Sequence, residues 1–155
     1  MTRRSLALVV LLVLPLLAAA PRAEAQLNCR VSVVPLRFGV YLPGDPSPLD
    51  VTGDIDVSCR GQAGFFLATI GAGSGGGFAN RQMLSGAYMM RYNLYRDAGR
   101  SLVWGDGTGG SVLNGRIKLR NGREDFVLPV YGRVFPQQSV GAGTYQDDVL
   151  VTIIF

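Results

Sequence analysis

Gly53-Asp54-Ile55-Asp56-Val57-Ser58-Cys59 changes character at every step. Successive side chains of a β-strand point to opposite faces, so Ile55, Val57 and Cys59 share one face and Asp54, Asp56 and Ser58 the other. Cys29, Val31 and Val33 form a second apolar face of the same kind. Working outward, short period-two segments recur and turn residues separate them. The spacing predicts strands at 27–34, 53–59, 65–70, 88–95, 112–119, 126–135 and 149–155. The turns fall at Pro43-Gly44-Asp45-Pro46, Gly71 to Gly77, Gly105 to Gly110, Asn121-Gly122 and Gly141-Ala142-Gly143. Asn121-Gly122 is the strongest hairpin signal, because both residues tolerate the positive φ of a type I′ turn. No stretch of helical length carries an i, i+3, i+4, i+7 apolar stripe free of Gly and Pro. The pattern is that of an all-β sandwich.

The chain has 155 residues, 17% of them charged and 48% hydrophobic, enough for one domain of ordinary size and too apolar for disorder. It has no His, which removes Ser-His-Asp and Cys-His catalysis and most zinc sites. Arg3 and Arg4 precede an apolar run from Leu6 to Ala20, and Ala23-Glu24-Ala25 has the small-x-small form of a signal-peptidase site. The run is shorter than the roughly 18–20 residues of a spanning helix, so no stable membrane insertion is expected. Residues 1–25 thus read as a signal peptide and 26–155 as one mature domain. Of 15 basic and 11 acidic side chains, Arg3, Arg4, Arg22 and Glu24 leave with the signal, so the mature net charge is +2. That is a solubility term and predicts no nucleic-acid partner. The one basic cluster, Arg116, Lys118, Arg120 and Arg123, reads as the solvated face of a hairpin.

An exported chain with two cysteines, Cys29 and Cys59, is expected to pair them. Each lies on an apolar, core-facing side. Closing a loop of about 30 residues stabilises by roughly 3–4 kcal/mol in the chain-entropy account. Other motifs dissolve on inspection. Gly71-Ala72-Gly73-Ser74-Gly75-Gly76 and Gly105-Asp106-Gly107-Thr108-Gly109-Gly110 both fit G-x-G-x-x-G, but no helix follows either, so they are strand connections. Asp54 and Asp56 share one strand face, and Asp147 and Asp148 are adjacent. Such pairs do not oppose each other across a cleft as a glycosidase requires, so solvated edges and turn chemistry explain them. Lys118 is the sole lysine, and no catalytic set, metal or cofactor site is visible. Met90, Tyr92 and Leu94, with Tyr88, read as a core strand rather than a sugar platform completed by Trp104.

Asp147-Asp148 leads into Val149-Leu150-Val151-Thr152-Ile153-Ile154-Phe155. Val149, Val151, Ile153 and Phe155 share one face. A bare strand edge of this composition templates aggregation, so a covering strand is expected.

In order, the chain shows Cys29-x-Val31, Phe38-Gly39-x-Tyr41, Gly53-Asp54-Ile55-x-Val57-x-Cys59, Arg81-x-Met83, Tyr92-Asn93-Leu94-Tyr95-x-Asp97, Trp104-Gly105-Asp106-Gly107, Tyr131-Gly132-Arg133 and Gly143-x-Tyr145-x-Asp147. Together these resemble the spore coat protein U family, which includes subunits of archaic chaperone–usher pili. The resemblance implies an immunoglobulin-like β-sandwich lacking its last strand. It implies a non-catalytic structural subunit of a surface fibre or coat, carried through the periplasm to the cell surface. The partners implied are a periplasmic chaperone, an outer-membrane usher and sibling subunits, whose lent strand fills an acceptor groove. That groove is expected along Val31 and Val33 on one side and Val149, Val151 and Ile153 on the other. The competing expectation is a self-contained secreted carbohydrate-binding or adhesin module. Cleavage after Ala25 leaves only Gln26, Leu27 and Asn28 ahead of Cys29, about 10 Å of strand, so this subunit is expected to accept a strand without donating one. Mass spectrometry of the exported chain should find Gln26 first; a start at Pro15 or earlier contradicts the capping expectation.

Overall fold

Burial alternates along the two longest strands of the folded chain. The computed structural model describes residues 27–155, so the predicted signal segment lies outside the described residues. Among the described residues there are nine strands: β1 Asn28–Val33, β2 Leu49–Gly61, β3 Gly64–Ile70, β4 Gly76–Gly77, β5 Asn80–Ser85, β6 Tyr88–Tyr95, β7 Ile117–Leu119, β8 Gly122–Val134 and β9 Val151–Ile154. One sheet runs β1-β2-β8-β6-β5-β4 and the other β7-β3-β9. All strand pairs are antiparallel. Ile55 and Val57 of the large sheet and Phe66, Ala68 and Ile70 of the small one bury together in a single core. Phe66 meets Phe126 edge to face across it, with ring centroids 5.3 Å apart. This is the all-β, immunoglobulin-like sandwich.

β1 lies against β2 with Cys29 opposite Cys59, Val31 opposite Val57 and Val33 opposite Ile55. The predicted disulfide is present and joins directly facing residues. β2 and β8 then pair over their whole lengths, from Leu49–Val134 to Gly61–Gly122. Pro129 sits within β8, which looks forbidden for a central strand. The register removes the conflict: β6 joins β8 only from Tyr131 to Val134, so β8 is still an edge at Pro129.

Three sequence expectations change. Asn121-Gly122 makes no hairpin, since β7 and β8 on either side of it belong to different sheets. Gly122 does take a positive φ of 105°, and Asn121 Oδ1 accepts the Ala63 N–H at 2.8 Å, so the pair turns a crossover between layers. The basic cluster therefore shares no hairpin face; Arg116 stacks on Phe65, Arg120 approaches Glu124 and Arg123 pairs with Asp125. The strand predicted at 112–119 shrinks to Ile117–Leu119, because the Asn114 side chain takes the Ala68 N–H at 2.6 Å where a neighbouring strand would. β5 goes unannounced in the sequence, because Arg81 occupies an inward position that the alternation reserves for apolar residues.

Arg81 is fully buried. Its guanidinium donates to Gly71 O at 2.8 and 3.1 Å, to Trp104 O at 2.7 Å, to Asn93 Oδ1 at 2.6 Å and to Ile70 O at 3.4 Å. Phe78 lies 5.3 Å beneath it. One cation, held by carbonyls rather than a carboxylate, thus fastens the end of β3 to β5, β6 and the Trp104 loop. Burial lowers its pKa, and the neighbouring Tyr92, Asp147 and Tyr95 oppose that shift; an arginine remains charged throughout. Arg81→Met removes the shared donor from four interior acceptors, of which Asn93 Oδ1 keeps the Leu94 N–H, and should destabilise the fold by about 3–5 kcal/mol, read by urea titration, with Arg81→Lys losing less.

Candidate functional site

A groove of about 930 Å³ opens between the sheets. Its floor is the inner face of the large sheet, with Met83, Met90, Tyr92, Leu94, Val130 and Val134 in a row across β5, β6 and β8. One wall is residues 140–149 with Val151 and the other residues 33–41.

The first wall carries an open ladder. From Tyr145 to Ile154 burial alternates without a break, odd residues half-buried and even residues exposed, so the segment is extended throughout. Gln146 exchanges both backbone bonds with Leu84 of β5, and Leu150 O accepts the Gly71 N–H at 2.8 Å. Thr152 and Ile154 stand opposite Thr69 and Leu67. In an antiparallel ladder the N–H and C=O of one residue point to the same side, and those of the next residue to the other. The even residues therefore face inward partners. Val149, Val151 and Ile153 present their amide groups to the open side, where β9 has no neighbour among the described residues.

The opposite wall also has spare backbone. Residues 35–41 make no backbone hydrogen bond among the described residues. Their apolar side chains instead plug small residues of the floor. A Cβ at Gly53 would fall 2.8 Å from Leu36, and one at Gly132 would fall 2.8 Å from the Phe38 ring. Phe38 also meets Tyr92 edge to face at 6.0 Å. Tyr41 accepts the Gln138 N–H at its hydroxyl, tying this wall to the chain beyond β8.

One end of the groove is polar. Asp147 Oδ2 accepts the Tyr92 O–H and Oδ1 accepts the Ser74 N–H, each at 2.7 Å. Gly73 approaches this carboxylate so closely that a Cβ there would collide with it. Burial, then the hydrogen bond to Asp147 and its charge, drive the Tyr92 hydroxyl far above the ordinary phenol range, so it stays a donor. Asp147 is thus a fixed corner of the groove rather than the solvated turn residue expected from sequence.

The other edges of the two sheets are guarded. β4 is two residues long, β7 is three and carries Lys118, and β1 carries Arg30 and is followed by Pro35. β9, itself four residues long, carries no charge, proline or bulge, the other devices that usually blunt an edge.

Of the five expected groove residues, Val33, Val149 and Val151 line it. Ile153 continues the same face of β9 and packs on the core. Val31 falls outside the groove, on the core side of β1 yet 36% exposed, with Val33 at 49%. Two core-facing valines are this open because, among the described residues, nothing in the second sheet stands over them. Sequence reasoning missed Leu36, Phe38 and Tyr41; the only signal was Phe38-Gly39-x-Tyr41, which carries no strand alternation. Trp104 is buried and donates Nε1–H to Ala68 O at 3.1 Å. Tyr88, expected on the core face, is 55% exposed, because it begins β6 at a hairpin tip and rests on Gly141.

A family model described as Spore Coat Protein U domain matches residues 16–152. The chain belongs to the Spore Coat Protein U domain family. The match to the spore coat protein U model begins inside the predicted signal segment, ahead of the described residues. Comparison with curated proteins finds no match. Among solved structures, a chain of the CsuC–CsuE chaperone–tip adhesion subunit pre-assembly complex, from the archaic chaperone–usher Csu pili of Acinetobacter baumannii, is similar at 18% identity with a TM-score of 0.56. The likeness covers 84% of this chain and 40% of that one, so this spore coat protein U domain spans less than half its length. At that identity the likeness is one of fold. Gly132→Ala should lift Phe38 off the floor and cost about 1–3 kcal/mol in chemical denaturation, the usual penalty of overpacking; an unchanged midpoint would show that the 33–41 wall is not seated as described.

Proposed function

We propose that this domain is a non-catalytic structural subunit of a surface fibre or coat, assembled by accepting a β-strand from another polypeptide. The observation that carries this is the unguarded edge of β9, facing a second wall with spare backbone across an apolar floor. A single added strand pairs with Val149, Val151 and Ile153 and covers the exposed inner faces of Val31 and Val33. Main-chain bonds supply affinity in such β-augmentation, and alternating side-chain pockets supply selectivity. The domain on this reading comprises residues 26–155.

Membership of the spore coat protein U family supports the reading, as does the fold shared with a chain of a pilus pre-assembly complex. A periplasmic chaperone, an outer-membrane usher and sibling subunits are the partners it implies, and the Cys29–Cys59 disulfide suits the oxidising compartments on that route. A capping position in a fibre goes with cleavage after Ala25. The carbohydrate-binding alternative loses its best aromatic pair, since Trp104 is sealed in the core.

Thermal melting with and without a synthetic peptide tests the proposal. The peptide is taken from the N-terminal extension of a sibling subunit. A ligand selective for the folded chain raises apparent stability by about 2.7 kcal/mol at a hundredfold excess over Kd. The expected result is a concentration-dependent rise in Tm that Val151→Arg abolishes. A melting curve indifferent to every such peptide contradicts it.

A further inference from the structure

Strand acceptance leaves open what kind of strand fits. The core-facing row of the open wall reads Asp147, Val149, Val151, Ile153, at strict two-residue spacing. Three positions are apolar and the fourth is a carboxylate. Asp147 lines the groove and its oxygens are fixed by Tyr92 and Ser74. A carboxylate has about four acceptor positions, and these bonds use two.

Its charge has no direct partner. Asp147 forms no ion pair among the described residues. Arg81 lies close enough to feel it, yet the Arg81 donors go to Gly71, Ile70, Trp104 and Asn93. Four charged residues line the groove, Asp54, Asp147, Asp148 and Arg37; of these Asp147 alone is half-buried on the core-facing row, and the other three are exposed. A carboxylate fixed at this inward position selects by sign.

We infer that the occupying strand carries a lysine or arginine at the core-facing position next to a run of three alternating apolar residues, and that this cation meets Asp147. The register follows from the wall itself: apolar residues stand opposite Ile153, Val151 and Val149, and the cation stands opposite Asp147. The inference rests on the strand-accepting reading and adds the chemistry of the partner. Without the cation, a strand seated in the groove leaves a desolvated carboxylate with no cation bonded to it, since the Arg81 donors go elsewhere, and an acidic residue there repels it.

The test uses the exported, disulfide-bonded chain and fluorescein-labelled ten-residue peptides. Three core-facing positions are Val, Leu and Val, with Ser or Thr between, and the fourth is Lys, Leu or Glu. One set has the variable residue at the N-terminal end and another at the C-terminal end, which covers both strand directions. A proline-interrupted peptide is the control. In one set the Lys peptide should bind at least roughly tenfold tighter than the Glu peptide, the scale of one partly buried ion pair. The preference should vanish in Asp147→Asn and shrink as salt rises toward about 1 M. If Lys, Leu and Glu peptides bind alike, above the control, the groove accepts strands and the charge inference is overturned: Asp147 is then only the structural corner that Tyr92 and Ser74 hold. If nothing exceeds the control, the strand-accepting reading fails and this inference with it. Should Asp147→Asn not fold, the salt titration of the unaltered chain decides, and a salt-independent preference contradicts the ion pair.

Discussion

A β-strand has two rows of amide groups, and both must be satisfied. In the C-terminal segment the even residues meet this demand through Leu84, Gly71 and the β3 ladder. The odd residues present theirs to an open side. Water can hydrogen-bond those amides, so the backbone alone tolerates the vacancy. The apolar floor does not: Met83, Met90 and Val130 lie at the bottom of a groove that a single strand would close. On the proposed reading, backbone and side chains call for the same occupant, an extended apolar segment, and the rest of the architecture holds the groove in place.

Arg81 and Asp147 are the fixed points. Arg81 joins the end of β3 to the β5–β6 side of the large sheet through five donor contacts. Asp147 holds the turn into β9 against Tyr92 and the Gly73–Ser74 loop. Buried polar groups are tolerable when each is satisfied, and they then specify one arrangement rather than several. At the other wall, Gly53 and Gly132 leave hollows that Leu36 and Phe38 fill, which seats residues 33–41 without a ladder. A groove with both walls anchored needs little rearrangement to accept a strand, and preorganisation of that kind lowers the entropic cost of binding.

Much of this was legible in the sequence where one principle acted alone. Ile55, Val57 and Cys59 alternate with polar residues over a long strand, and they are buried as expected. The disulfide followed from two cysteines on facing apolar sides. The apolar C-terminal segment signalled a strand, and β9 stands at the edge of the small sheet. Legibility failed where side chains replaced backbone partners. Asn114 stands in for a strand beside Ala68, so a predicted strand shrank. Arg81 sits where a hydrophobe belongs, so β5 went unseen. Asn121-Gly122 has the chemistry of a hairpin turn, but the pairing of distant strands decided which sheet each side joined. Residues 33–41 form a wall through two glycine hollows some way along the chain, and no local pattern encodes that. The resemblance motifs Phe38-Gly39-x-Tyr41 and Tyr131-Gly132-Arg133 contained both halves of one such contact without showing that they meet.

The central claim is that one row of amides in β9 is paired and the other is vacant. Hydrogen exchange resolved by residue reads this directly on the isolated, disulfide-bonded chain. The account predicts protection at Thr152 and Ile154, whose amides face β3, and rapid exchange at Val151 and Ile153, with protection of the latter pair appearing only when a strand is bound. Equal protection of all four amides in the chain alone would mean that the edge is already closed, and would contradict the account.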